Sequence, residues 1–501
     1  MPEHLRALVV IITLSVAVFA LGRQPALAIA GRQAFARRRN LWFLLTLAAF
    51  LSQSFWINAA IATLILLGAN TQEQNRLALF FAGLFAVPPA AAQIPGLGLV
   101  NYLFDLTHLR VLSLAVLLPA FFVVRSRPGT PAFGRLWADR FLGAYLLLLV
   151  ILQLRETTGT DMLRQALYGF LDVFLPYYVA SRALREIADF RDALLAFVLA
   201  AFVLAAVGLF EAVRHWLLYS ALIPALGLRW GYSGYLGRTG VLRASASTGH
   251  PIALGYAMAV AIGFYLFLVQ GVQSRVQRWL GGLLLAGGLV APLSRGPWVG
   301  AAALVTTYLA IGPHAIRRLG MLALAGIASL PLLAIAPGGQ KVLDLLPFIG
   351  NVEKENIDYR QRLFAISVTV IERNPWLGSV NYRQAPEMQE LRQGQGIIDI
   401  VNTYLGVALE SGLVGLSLFA GFFVAVLWGI YRGLRQVRDK TDERHLLGRA
   451  LLATLVAILV ILFTVSSITV IPIVYWSVAG LGVAYARMVK RQMAETEREA
   501  A

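Results

Sequence analysis

Cysteine is absent from the 501 residues, which removes disulfides, thiolate metal sites and a cysteine nucleophile together. Histidine is scarce at six, too few to suggest a histidine-rich metal centre. Charge is scarce as well. Only 14% of residues are Asp, Glu, Lys or Arg, and within that set 43 bases face 26 acids, a net of +17. There is no Walker loop, dinucleotide fingerprint, HExxH motif or nucleophile elbow. No cofactor and no metal are therefore expected, and a nucleotide-activated substrate would have no visible cradle. Internal repeats and low-complexity segments are missing too.

What fills the chain instead is apolar. Hydrophobic residues make up 58% and the mean hydropathy is +0.70, more apolar surface than a soluble protein of this length could cover. These residues arrive in blocks of membrane-spanning length rather than in amphipathic stripes. Spans are expected at 5–22, 41–68, 110–124, 141–154, 165–181, 192–212, 251–272, 277–293, 297–313, 319–336, 403–430, 450–468 and 470–486. The first run, Leu5 to Leu21, has no convincing cleavage site after it and reads as a retained span. Residues 77–107, with Pro88-Pro89 and Pro95-Gly96, suit a short span plus a broken or re-entrant piece. The expected fold class is all-α: a polytopic integral membrane protein with about 12–14 transmembrane helices and a large outer loop.

Basic clusters at 125–140, 182–191, 275–278, 317–318, 432–449 and 487–491 alternate with the spans so that all lie on one side. The positive-inside rule makes that side the cytoplasm, which absorbs most of the excess charge without invoking nucleic acid. Residues 32–39 join it if 41–110 crosses an odd number of times. The chain then divides into N-terminal helices (1–212), a first outer loop (213–250), central helices (251–336), a large outer loop (337–402), and C-terminal helices with a tail (403–501). Helix–helix connections are usually far shorter, so two loops of this size suggest a task.

The first outer loop breaks the positive-inside rule with Arg214, Arg229, Arg238 and Arg243, together with His215 and His250, aromatics and glycines. Guanidinium groups match phosphate oxygens bidentately, so arginines held outside suggest a phosphate-bearing ligand. The plainer reading is that aromatics and arginines settle at membrane interfaces. Ser294-Arg295-Gly296-Pro297-Trp298 is the second feature. At about 1.5 Å per residue each half of 277–313 is roughly 27 Å, a full crossing, so Arg295 sits at the outer turn between two helices. In the large loop, Tyr359 to Glu372 reads as an amphipathic helix carrying Arg360 and Arg362, ended by Asn374-Pro375-Trp376-Leu377-Gly378.

The order of these pieces carries a resemblance. Arg243 and His250-Pro251 open a span, and Ser294-Arg295-Gly296 follows. Tyr359-Arg360-Gln361-Arg362, Asn374 to Gly378, Asn402-Thr403-Tyr404-Leu405 and Glu410-Ser411-Gly412 come after. This resembles the O-antigen ligase and Wzy-type polysaccharide polymerase superfamily over about 240–430. The resemblance implies a GT-C-like, metal-independent, inverting membrane glycosyltransferase in the bacterial inner membrane, multi-pass, with its active face periplasmic. Its partner would be an undecaprenyl-pyrophosphate-linked glycan in the membrane lipid, alongside other polysaccharide assembly proteins. Arg243, Arg295 and Arg360 or Arg362 match the arginines of that pattern, and would hold the pyrophosphate while an acceptor hydroxyl attacks the anomeric carbon. Arg238, His250, Arg214, Tyr359, Asn402 and Tyr404 are the expected substrate-binding residues.

There is one departure. Many ligases carry a histidine immediately before the Asn-x-Tyr-Leu stretch, and here that position is Val401. Either another group is the base, with Asp399 nearest and Glu353, Glu355 and Asp358 behind it, or none is needed because the leaving group is already good. The departure favours a polymerase over a ligase. A transporter or flippase is the reading from another class, with Asp172 and Glu211 lining a path.

Overall fold

The apolar runs form helices, as backbone groups inside a bilayer must be satisfied within their own segment. The computed structural model describes residues 1–96, 98, 100–229, 237–238, 241–335, 354–392 and 396–500. In chain order the elements open with helices α1 (Glu3–Leu21), α2 (Arg23–Leu51), α3 (Phe55–Thr71) and α4 (Arg76–Gly83), then strands β1 (Ala91–Pro95) and β2 (Tyr102–Thr107). There follow α5 (His108–Ser126), α6 (Trp137–Glu156), α7 (Gly159–Tyr168), α8 (Leu175–Ala183) and α9 (Ile187–Arg214). Strands β3 (Gly237–Arg238) and β4 (Val241–Leu242) precede α10 (Pro251–Leu268), α11 (Arg275–Val290), α12 (Arg295–Ile311) and α13 (Ala315–Ile335). The last four are α14 (Lys354–Arg373), α15 (Thr403–Gln436), α16 (Glu443–Leu462) and α17 (Ile471–Ala500). The protein is an all-α polytopic membrane protein.

Among the described residues, seven helices are long and apolar enough to cross a membrane: α1, α5, α6, α9, α10 with its last turn to Gly271, α15 and α16. Some of the other expected spans are shorter or interrupted. Helices α3, α11 and α12 have 17, 16 and 17 residues, and α7 and α8 are joined through a π turn at Gly169–Phe174. The run 41–68 is not one span. It breaks at Ser52–Ser54, where Gln53 is left-handed at φ 50°, and Phe55 N donates to Leu226 O at 3.0 Å.

The segment 77–107 resolves into α4 and an antiparallel hairpin, β1 against β2 with Ala91 opposite Thr107. Arg164 donates to Leu103 O, and Arg110 bonds the Asp172 carboxylate at 2.8 Å. The start of the first outer loop also differs from expectation. Leu217, Leu218, Tyr219, Leu222 and Ile223 are buried in the main core. Glu211 holds this return, its carboxylate accepting the N–H groups of Leu218, Ser245 and Ala246 at 2.8–3.0 Å. Both carboxylates expected to line a transport path are thus engaged in holding the fold.

One continuous apolar core joins the helices, from Ala7 in α1 to Val489 in α17. At its basic end Arg38 lies between Glu73 (2.9 Å) and Asp192. That contact puts the 32–39 cluster beside the start of α9, on the same side as the 182–191 cluster. Arg182 and Asp139 form a fully buried pair at 2.7 Å, with Tyr177 donating to the same carboxylate.

Candidate functional site

At the opposite end of the bundle three separate segments meet around the start of α12. The first is the stretch before α10. Arg243 donates from Nε to Pro292 O at 3.1 Å and from Nη2 to Ser294 Oγ at 2.9 Å, and Ala244 N donates to Ala291 O. Its guanidinium therefore braces the turn between α11 and α12, one residue from Arg295. That turn is tight, with Leu293 left-handed at φ 48°, and Trp298 Nε1 ties α12 back to Leu289 O at 2.9 Å. Arg295 begins α12 and is half-buried. A helix start favours negative charge through its oriented N–H groups, so Arg295 and α12 present the same sign of field.

The second segment is the turn after α16. A Cβ on Gly296 would stand 2.3 Å from Thr464 Oγ1, so the glycine is what lets α12 come this close. Sequence reasoning placed Thr464 inside a span ending at 468, but α16 ends at Leu462 and residues 463–470 form the turn before α17. The Thr-Val-Ser-Ser run inside an otherwise apolar stretch was the available signal. The third segment is α14, whose Arg360 donates to Thr464 O at 3.2 Å. Arg360 and Arg362 are two residues apart and point to different sides of a helix. Both are exposed, but no bond among the described residues draws Arg362 to this turn.

Asp399 belongs to the same cluster. Ser466 Oγ donates to its Oδ1 at 2.5 Å, and Tyr359 of α14 donates its hydroxyl to Asp399 O at 2.9 Å. The residues that follow have structural partners. Asn402 is the N-cap of α15, its Oδ1 accepting from Tyr404 N and Leu405 N, a use that Asn serves well. Tyr404 donates its hydroxyl to Leu459 O and packs its ring on Phe419 and Phe463. Val401 packs against a small apolar core beside α14 that includes Leu363, Met388 and Ile400. His250 caps α10, its Nδ1 accepting from Ile252 N at 3.2 Å. Burial, and then the nearby Arg243 charge, push its imidazole down to about 4.

The remaining expected residues are not gathered here. Arg214 is exposed at the end of α9. Arg238 pairs through its backbone with Val241 in the β3–β4 hairpin, and its side chain lies outside the described residues. So do Glu353 and the side chain of Glu355. Asp358 is exposed.

Two motifs missed as a unit fasten the large loop. The turn at 374–378 docks on a break in α15 at Gly412, main chain against main chain. Ser379 N donates to Leu409 O, Leu413 N to Pro375 O and Val414 N to Trp376 O, at 2.8–3.1 Å. Gly412 has φ 66°, ψ −168°, open in practice only to glycine, and a Cβ there would meet Trp376 C at 2.3 Å. The end of α6 adds a second clasp. Glu156 accepts from Ser379 Oγ, Val380 N and Asn381 N, and Arg155 donates to Gly378 O at 2.9 Å. The Arg-Glu pair closing an apolar run on the outer side was the sequence signal for this contact.

Residues 280–420 match the family profile described as O-Antigen ligase. The chain contains an O-antigen ligase-like region. No match to a curated protein is found. The O-antigen ligase-like region includes Arg295, Arg360, Asp399 and the two docked glycine motifs, and it marks a membrane glycan-processing enzyme. Arg243 and His250 fall before it, and Arg243 is tied to it by its bonds to Pro292 O and Ser294 Oγ.

Proposed function

We propose that the protein is a metal-independent, inverting glycosyltransferase that joins undecaprenyl-pyrophosphate-linked oligosaccharide repeat units at the periplasmic face of the bacterial inner membrane. The observation that carries this reading is the meeting of Arg243, Arg295 and Arg360, from three distant segments, around the start of α12 and the turn at Thr464. In the proposed reaction an acceptor hydroxyl oxygen bonds to the anomeric carbon. The bond from that carbon to the donor's pyrophosphate oxygen breaks, and its electron pair leaves with the pyrophosphate. Guanidinium groups fixed beforehand by protein bonds stabilise the charge that develops there, at no cost of reorganisation during the reaction. The acceptor proton goes to the Asp399 carboxylate, which Ser466 and the backbone contact from Tyr359 hold in position.

The polymerase reading is preferred because Val401 sits in an apolar cluster and offers no base to an acceptor. A ligase acting on a finished glycan is the second reading, favoured by the description of the matching family. The two differ in product. A polymerase yields a ladder of repeat lengths on the polyprenyl lipid, while a ligase moves one finished chain to a new acceptor.

Arg295→Ala tests the shared chemistry. Loss of a donor to a developing charge typically lowers turnover about 10²–10³-fold, so glycan assembly should vanish from a complementation gel while the variant still inserts at the wild-type level. Wild-type chain lengths from that variant would overturn the assignment. Arg295→Lys should recover little, since an ammonium lacks the bidentate fork.

A further inference from the structure

A sizeable cavity lies away from this site. A cleft of about 850 Å³ opens at the basic end, between α2, the start of α4, the end of α5 and the start of α9. Arg32, Arg37, Arg38, Arg76, Arg127 and Arg185 line it, against four carboxylates. Those carboxylates are largely engaged. Glu73 and Asp192 bond Arg38, and Asp189 accepts from the backbone N–H of Arg185 and Glu186. Arg32 is exposed, and Arg76 makes only a 3.5 Å contact with Pro119 O. Burial and the neighbouring Arg127 charge hold the Arg76 guanidinium below its ordinary value. The cleft therefore keeps cations together without enough anions of its own.

The shape gives the second half of the argument. Helix α2 kinks at Gly31, with φ 74° and ψ 166°, and Gly31 lines the cleft. Beyond the kink a second groove of about 700 Å³ runs between α2 and α3, lined by Leu41, Leu44, Leu64, Ile65 and Gly68. The two share Gln33, Arg37 and Gln72, so the cationic cleft and the apolar groove adjoin, with Arg37 bonded to Gln72 O at their border. Leu44 and Leu64 are exposed, at 49% and 71%, on helices that pack against the bundle by their other face. A free phosphate would use the cleft and leave the groove empty. An amphiphile fills both.

We propose that this cleft and groove form a binding site for an anionic phospholipid of the adjoining leaflet, the phosphate held by Arg32, Arg76 and Arg127 and an acyl chain lying between α2 and α3. The site is at the far end of the bundle from Arg295, and its occupancy is readable without glycan assembly. A bound lipid would fix the two halves of α2 against α4 and α9 and stabilise the folded protein by mass action.

The test is a melting series on the full-length protein in neutral detergent. Phosphatidylglycerol should raise the melting temperature, phosphatidylcholine should not, and glycerol 3-phosphate should act far more weakly than the lipid. The double variant Arg32→Gln/Arg127→Gln should need roughly thirtyfold more phosphatidylglycerol, from ~1 kcal/mol for each basic side chain near an anionic headgroup. Gly68→Leu fills the groove, and nothing lies within 4 Å of the added Cβ. It should weaken the lipid response and leave the glycerol 3-phosphate response alone. The proposal is overturned if both variants respond like wild type, if phosphatidylcholine acts equally well, or if glycerol 3-phosphate matches the lipid. Should the double variant fail to fold, cross-linking decides on wild-type protein with a diazirine-bearing phosphatidylglycerol. Label concentrated on peptides within 41–69 supports the site, and label spread evenly around the bundle overturns it.

Discussion

A guanidinium acts on a substrate only where its own bonds aim it. Arg243 is aimed by bonds to Pro292 O and Ser294 Oγ on one turn, and Arg360 by a bond across to Thr464 O. Arg362, two residues on and equally exposed, lies on another side of α14. Arg360→Ala should therefore depress glycan assembly far more than Arg362→Ala, a comparison made in one complementation assay. From sequence the two were equivalent, because adjacent motif positions carry no direction until a helix assigns them one. Asn402 is the opposite case. An Asn immediately before an apolar helix is an N-cap by ordinary rules, and the structure uses it so, though its place in a family motif suggested a ligand. His250 gives the residue scale a pH signature. It lies just before α10, outside the spanning segment, and caps that helix through a neutral Nδ1. Its folded value of about 4 lies below the ordinary 6.5. The unfolded chain thus binds the extra proton first, and stability is full above 6.5 and lost as pH falls from there toward 4. Melting curves across that window should show the slope, and His250→Asn, which caps without titrating, should flatten it.

Among the elements, the large outer loop depends most on particular contacts. Its small core of Leu363, Val370, Tyr382, Met388, Leu391 and Ile400 touches the bundle at Leu409, and the glycine dock and the Glu156 clasp do the fastening. Gly412→Ala should cost at least ~1–3 kcal/mol from backbone conformation alone, with the clash against Trp376 added. Limited proteolysis should then cut within 354–402 while the helices stay protected. Glu156→Ala removes one acceptor from three donors and should loosen the loop by about 1–3 kcal/mol, read in the same digest. The glycine dock was illegible in the sequence because it joins positions thirty or more residues apart through main-chain atoms, which every residue possesses. Hydropathy likewise missed the break at Ser52–Ser54, since three small polar residues barely lower the average over a long apolar run. The amphipathic helix at 359–372 was legible, because its period of buried positions is local.

For the whole molecule, the sequence carried the class but not the sidedness of 32–39. One contact supplies that: Arg38 between Glu73 and Asp192. The basic end is also where the bundle concentrates its buried ions. Asp139 and Arg182 are fully buried together, with Tyr177 donating to Asp139 and Arg487 reaching Ser181 O nearby. Breaking such a pair leaves an uncompensated charge, so Asp139→Asn should destabilise the protein by about 3–5 kcal/mol. Fluorescence-detected size exclusion after a heat step would register it as early aggregation. Apolar packing elsewhere, spread over many residues of α9, α10 and α16, should forgive single conservative changes.

The meeting of Gly378 with Gly412 has a consequence for how such a protein can change its acceptor. Because the seam is stitched largely by peptide groups, the exposed side chains of Gln384, Pro386, Glu390 and Arg392 are released from holding the segment in place. Those positions can be rewritten and the segment still land over the arginines, provided the two glycines, the small core at Tyr382, Met388, Leu391 and Ile400, the Asp399 carboxylate and the carboxylate at the end of α6 stay put.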